Sequence, residues 1–193
     1  MKSFYISLIA LFLVGTAAQA QEFSYGIMGG LNVSKVNNAL GGEFADNKIN
    51  YHVGLIAEFP QGDKWSFEAA AFYSGEGEQI ERNGNVSTIY LRFINVPVHF
   101  KYYITKGLSV HAGPQVGFLL NAKQSFVEDG DREEIEGKVN SSYALTGGLG
   151  YDFDNGLFIK GTFDLGITDL FDNVDFKQDQ RTRTGHLSIG YKF

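Results

Sequence analysis

Eight segments of this chain alternate residue by residue between two chemically different faces, and a period of two commits each of them to a β-strand with unlike sides. They run near 22–33, 50–59, 65–74, 88–104, 108–122, 141–153, 157–168 and 184–193. One face begins Phe23, Tyr25, Ile27, Gly29, Leu31, Val33 and ends Leu187, Ile189, Tyr191, Phe193. Taken from Ile94 in the fourth segment, 45 positions of that face carry no charge, where a chain that is 20% charged would place about nine by chance. The opposite face is small or polar, as in Ser24, Gly26, Gly30 and Asn32, with Ile56, Phe72, Leu119 and Phe158 as large apolar interruptions.

The interior of a small barrel is too narrow for 45 mostly bulky groups but accommodates glycine, serine, asparagine and a few long polar chains. The large residues therefore point outward, and a wholly apolar exterior is stable only in lipid. The expected fold is all-β, an eight-stranded antiparallel up-and-down transmembrane β-barrel. A soluble ligand-binding barrel would need the opposite assignment of faces. No segment after Ala20 approaches the 18 or more consecutive apolar residues of a membrane helix.

The connections agree with this reading. Short turns fall at 60–64, 105–107 and 154–156, the last carrying the hairpin signal Asn155-Gly156. Long polar connections fall at 34–49, 75–87, 123–138 and 169–183. Long loops outside and short periplasmic turns are the pattern of bacterial outer-membrane barrels. Aromatic residues gather at the turn end as a girdle: Phe59 and Trp65, Tyr102 and Tyr103, Tyr151, Phe153 and Phe158, then Tyr191 and Phe193. Pro97 and Pro114 fall inside strands, where each removes a ladder donor, so a bulge or an unpaired strand end is expected at both.

Residues 1–20 read as a cleaved signal peptide, with Lys2, the apolar run Phe4 to Val14 and the cleavage motif Ala18-Gln19-Ala20. Residues 21–193 then form one barrel domain. The 44% hydrophobic and 20% charged content exclude global disorder, and the net charge of −6 argues against nucleic acid as a partner. Without cysteine there is no zinc–thiolate site, disulfide framework or thiol nucleophile.

Several runs carry a family resemblance that covers nearly the whole exported chain. They are Tyr73-Ser74-Gly75-Glu76-Gly77, the run Phe93 to Tyr103 with Pro97 and a closing Lys101-Tyr102-Tyr103, Ala112-Gly113-Pro114, Gly148-Leu149-Gly150-Tyr151 and Gly166-Ile167-Thr168-Asp169. Together they resemble the PorT-like group of outer-membrane β-barrel proteins, with Asn95 standing where that group usually has an acid. The closing Gly190-Tyr191-Lys192-Phe193 resembles the signal read by the outer-membrane barrel-assembly machinery, with Ser188 in place of its usual glycine. The resemblance implies a cell-envelope protein of the bacterial outer membrane, in contact with its lipids and lipopolysaccharide, and an accessory role in secretion. These motifs describe a barrel and not an activity.

By alternation His52, His99, His111 and His186 face the lumen, as do Glu58, Glu68, Asp152 and Asp164. Imidazole and carboxylate suit zinc and similar ions, but the simpler reading is an interior hydrogen-bonded network that needs no metal or cofactor. Glu58, Glu68, Lys101, Asp152, Lys160 and Lys192 lie near the turn ends of their strands, and their opposite signs are expected to pair and plug the lumen. A narrow channel is the competing reading. His186-Leu187-Ser188 resembles the His-x-Ser pairing of outer-membrane lipid A deacylases, whose serine needs an adjacent base, yet both residues face inward by register. No catalytic residue is assigned and the chain is not expected to be an enzyme. The acidic stretch Glu128 to Glu136 lacks the spacing of a calcium-binding EF-hand loop and reads as solvated. The stretch from Asp169 to Arg183, with Phe171 and Phe176, is a candidate surface for a protein partner.

Overall fold

Nine strands account for most of the residues that the computed structural model describes, namely 23–36, 45–82, 85–126, 132–134, 142–168 and 182–193. They are β1 (Ser24–Val36), β2 (Ala45–Pro60), β3 (Trp65–Arg82), β4 (Asn85–Tyr103), β5 (Leu108–Phe126), β6 (Arg132–Glu134), β7 (Ser142–Asp152), β8 (Leu157–Gly166) and β9 (Thr182–Lys192). All pairings are antiparallel, and β1 pairs with β9 while β4 pairs with β5, so eight strands close into a ring with no free edge. The three-residue β6 lies outside that ring, on the far end of β5. Among the described residues no helix is long and apolar enough to cross a membrane. The expected eight-stranded antiparallel barrel is the observed one.

The two faces divide as the alternation requires. Tyr25, Ile27, Leu31, Leu55, Leu149, Phe163, Leu187 and Ile189 lie exposed on the outside, whereas Asn32, His52, Glu58, Glu68, Lys101 and Thr146 are buried in the lumen. This assignment excludes the soluble barrel with an apolar interior. At the turn end the outward aromatics form a belt of ring contacts, including Phe23–Phe59 at 4.9 Å, Trp65–Phe100 at 5.7 Å, Tyr151–Phe153 at 4.8 Å and Tyr25–Phe193 at 5.6 Å. Tyr103 and Phe158 do not join it. Both sit on the inward register of their strands, and Phe158 is buried among lumenal residues.

The strands outrun their hydrophobic alternation at the loop end. Residues 45–49, 75–82, 85–87 and 123–126, expected as loop, continue the ladders, so Arg82 pairs with Asn85 across a hairpin tip. In these stretches the sequence no longer alternates between apolar and polar residues, while the backbone pairing persists. The connection from β3 to β4 is therefore short rather than long. The turn end matches expectation more closely, with Gly107 (φ 98°) and Gly156 (φ 87°) supplying the left-handed backbone that each turn needs. Their carbonyls accept the N–H groups of Asp152 and Lys192, both at 2.9 Å, which stitches each turn to the next strand.

Neither proline makes a bulge or ends a strand. In β3–β4 the ladder skips the pairs beside Pro97 and resumes in the same register, and in β4–β5 it skips those beside Pro114 in the same way. Each missing N–H removes a donor from one ladder only, and the opposite ladder holds the strand in place, as Pro114 does against Leu145 of β7. The register shifts fall elsewhere, between Asn47 and His52 in β2 and between Arg92 and Phe93 in β4.

Candidate functional site

The lumen is filled from the turn end upward. There Lys101 of β4 reaches Glu58 of β2 at 3.2 Å and Asp152 of β7 at 2.5 Å. Lys192 of β9 contacts the same two acids, with Asp152 at 2.8 Å. Lys160 of β8 donates to Glu68 of β3 at 2.7 Å, and Lys101 lies 3.8 Å from the same carboxylate. The expected six charges thus form one network of three acids and three lysines. Ser66 donates to Glu58, and the Tyr103 hydroxyl bridges Glu58 at 2.6 Å and Asp152 at 2.9 Å. Charges removed from water are tolerated only when paired and hydrogen-bonded. Six strands share this set, so it fastens opposite walls of the barrel together.

Beside this network lies an apolar group, with the Lys192 ammonium 5.2 Å from the centre of the Phe158 ring. Met28, Ile56, Ala70, Phe72 and Phe158 form a buried cluster inside the barrel. Two lumenal glycines stand opposite its aromatic residues, Gly54 against Phe72 and Gly190 against Phe158; a Cβ on Gly190 would collide with the Phe158 ring, and one on Gly54 with the Ala71 carbonyl and the Cα and Cβ of Phe72. Ile56, Phe72 and Phe158 are visible in the sequence as interruptions of the polar face, and so is Met28, between Gly26 and Gly30 on the same register. Leu119 is only half-buried and lies outside the cluster.

All four histidines face the lumen, in two pairs built alike. His99 and His111 have ring centroids 4.8 Å apart, and His52 and His186 have theirs 5.4 Å apart. One member of each pair meets a carboxylate, His99 with Glu68 at 3.4 Å and His186 with Asp164 at 2.9 Å. The other meets a hydroxyl, His111 with Thr162 at 3.0 Å and His52 with Ser188 at 2.8 Å. His99 also contacts the Thr146 hydroxyl, and Gln115 donates to Asp164 at 3.0 Å. Toward the loop end Asn32 donates to Ser74, while Asn95 donates to Glu76 at 3.1 Å. A carboxylate in place of Asn95 would face Glu76 directly.

Among the described residues no three histidine, aspartate or glutamate side chains converge as a metal site requires. His186 and Ser188 are both buried, and Ser188 is bonded to His52 rather than to its near neighbour in sequence. A serine and a histidine are in hydrogen-bond reach, but on the lumenal side. Of the acidic stretch from Glu128 to Glu136 only β6 is described, and most of 169–183, with Phe171 and Phe176, lies outside the described residues. Residues 1–20 lie outside them as well. What sequence reading misses is the set of hydroxyl partners, Ser66, Tyr103, Thr146 and Thr162, which carry no signal beyond being polar on the inward register.

The sequence profile of a family described as outer membrane protein beta-barrel domain matches residues 18–172. A search of curated proteins finds no match. Among solved structures, the barrel is similar to Ail, the attachment invasion locus protein of Yersinia pestis, in a complex with the heparin analogue sucrose octasulfate. That likeness has a TM-score of 0.54 and 19% identity, over 90% of this chain and 100% of that one. It is also similar to Neisserial surface protein A, with a TM-score of 0.53 and 10% identity over 89% of this chain and 97% of the other. At such identities the likeness concerns the fold. The family match, the closed ring and the apolar exterior place the protein in the bacterial outer membrane.

Proposed function

We propose, because this chain belongs to the outer membrane protein beta-barrel domain family, that it serves the envelope as a closed barrel with a structural or interaction role. The observation that carries this reading is the lumen: a lysine–carboxylate network ties six strands together, and an apolar cluster lies across the same interior. A lumen so filled offers no water column for a solute, which weighs against the narrow channel. The inward burial of His186 and Ser188 weighs against a lipid-modifying enzyme, because a lipid substrate would approach from the outer face. Interaction then belongs to the loop end, where 169–183 is the candidate contact for a protein partner. The PorT-like motifs make an accessory part in secretion the finer form of the proposal. Lipopolysaccharide against the loop-side half of the apolar exterior, and recognition by the barrel-assembly machinery of the terminal strand with Phe193 exposed at its end, complete the set of contacts.

The test is genetic complementation with variants that insert normally. Cells lacking the protein are supplied with the wild type, with residues 170–181 replaced by a short Gly-Ser link, or with Ser188→Ala, and their secreted proteins and lipopolysaccharide masses are compared. The loop replacement is expected to fail and Ser188→Ala to complement fully. A loop replacement that complements, or a lipopolysaccharide mass change that depends on Ser188, would overturn the proposal.

A further inference from the structure

His186-Leu187-Ser188 looks like a catalytic pairing in the sequence, and the structure gives both residues another use. Ser188 is bonded to Nε2 of His52, and His186 is bonded through Nε2 to Asp164. The two imidazoles stand edge to face with centroids 5.4 Å apart. On each ring Nδ1 is buried without a protein partner. His52, His186, Asp164 and Ser188 all line one cavity, which offers about 20 Å³ to the centre of a water molecule. One water needs roughly 10–15 Å³ by that measure and two or more polar partners.

We propose that this cavity is a built hydration site, in which one ordered water bridges Nδ1 of His52 and Nδ1 of His186. Two rings bound to a common water have centroids at most about 8 Å apart, given a hydrogen bond of ~2.8 Å and the size of the ring, and the observed separation falls well inside that limit. Water fits better than a metal ion, because no third ligand converges on the rings among the described residues.

The donors can then be ordered along the whole chain. A carboxylate only accepts, so Nε2–H of His186 donates to Asp164, and the relay has Nδ1 of that ring accept from the water. Buried Ser188 has a hydroxyl hydrogen to place, and Nε2 of His52 is the acceptor beside it, which leaves His52 with its proton on Nδ1 to donate to the water. The result is one directional relay: Ser188 to His52, His52 to water, water to His186, His186 to Asp164. Hydrogen bonds aligned head to tail strengthen one another, and this one joins β9, β2 and β8 across the lumen. The inference gives the His-x-Ser motif a positioning role that is independent of any partner at the loops.

The test uses the full-length protein, labelled with ¹⁵N-histidine and refolded in micelles at neutral pH, with two-bond ¹H–¹⁵N correlation spectra to read each ring's tautomer. The expected result is a proton on Nδ1 of His52 with a cross-peak to water, and a proton on Nε2 of His186. Ser188→Ala is expected to abolish the single His52 tautomer while His186 keeps its own. A proton on Nε2 of His52 in the wild type, or no water cross-peak, would overturn the relay. Stoichiometric added zinc that shifts both rings would also overturn it, in favour of a metal site.

Discussion

Lys160 of β8 and Glu68 of β3 meet 2.7 Å apart across the full width of the lumen, on strands that stand four apart in a ring of eight. Such a pair is a strut and not a surface ion pair, since both side chains are almost wholly removed from solvent. Removing one partner of a buried pair leaves the other charge without compensation. Replacing Lys160 by Met is expected to lower unfolding stability by roughly 3 kcal/mol, with the double change Lys160→Met and Glu68→Met recovering much of it. Urea unfolding in lipid vesicles measures both.

Asn95 donates to Glu76 at 3.1 Å, both buried in the lumen. An acid at position 95, introduced by Asn95→Asp, would replace that donor with a second carboxylate facing the first. A loss of roughly 1–3 kcal/mol is expected for the unmade hydrogen bond. Adding Glu76→Gln should return most of it, because the new amide can donate to the carboxylate introduced at position 95. The same vesicle unfolding assay compares the single and double changes.

The outer belt should respond to charge by depth. Leu187 lies exposed near the middle of β9, and Tyr191 lies at the turn-end girdle of the same strand. Leu187→Arg is expected to cost about 2–4 kcal/mol and Tyr191→Arg about 0–1 kcal/mol, the gradient of a bilayer from midplane to interface. Equal costs at the two positions would show that β9 does not cross the hydrocarbon.

Gly190 stands opposite Phe158, and a methyl group there would run into both that ring and the carbonyl of Ile27. Gly190→Ala is expected to destabilise by about 1–3 kcal/mol, as overpacking does. Phe158→Ala in the same chain should give only partial relief, because the backbone carbonyl remains in place. Heat-dependent mobility on SDS gels, with and without boiling, gives a rapid ranking of these variants.

Much of this is legible from the period of two alone. A register that keeps charge off one face through the membrane-facing part of each strand also fixes which residues share the lumen, so it puts the six network charges and the four histidines on the correct side. Their partners are not legible, because alternation says that His52 faces inward but not that Ser188 lies across from it. Tyr103 and Phe158 fit the girdle by residue type and position, although the inward register carries them into the lumen. The loop-end extensions of β2 to β5 are hidden for a different reason: the ladder continues there through residues whose sequence has lost the apolar–polar alternation. Pro97 and Pro114 look like breaks in the sequence, but a neighbour paired on the other side holds each strand in line.

The most direct measurement is single-channel recording of the refolded protein in planar bilayers, on samples shown by heat-dependent gel mobility to be folded. A lumen closed by the Lys160–Glu68 strut, the surrounding charges and the apolar cluster predicts insertion without conductance steps. Discrete, reproducible steps from the wild-type barrel would contradict a closed lumen and establish a channel instead.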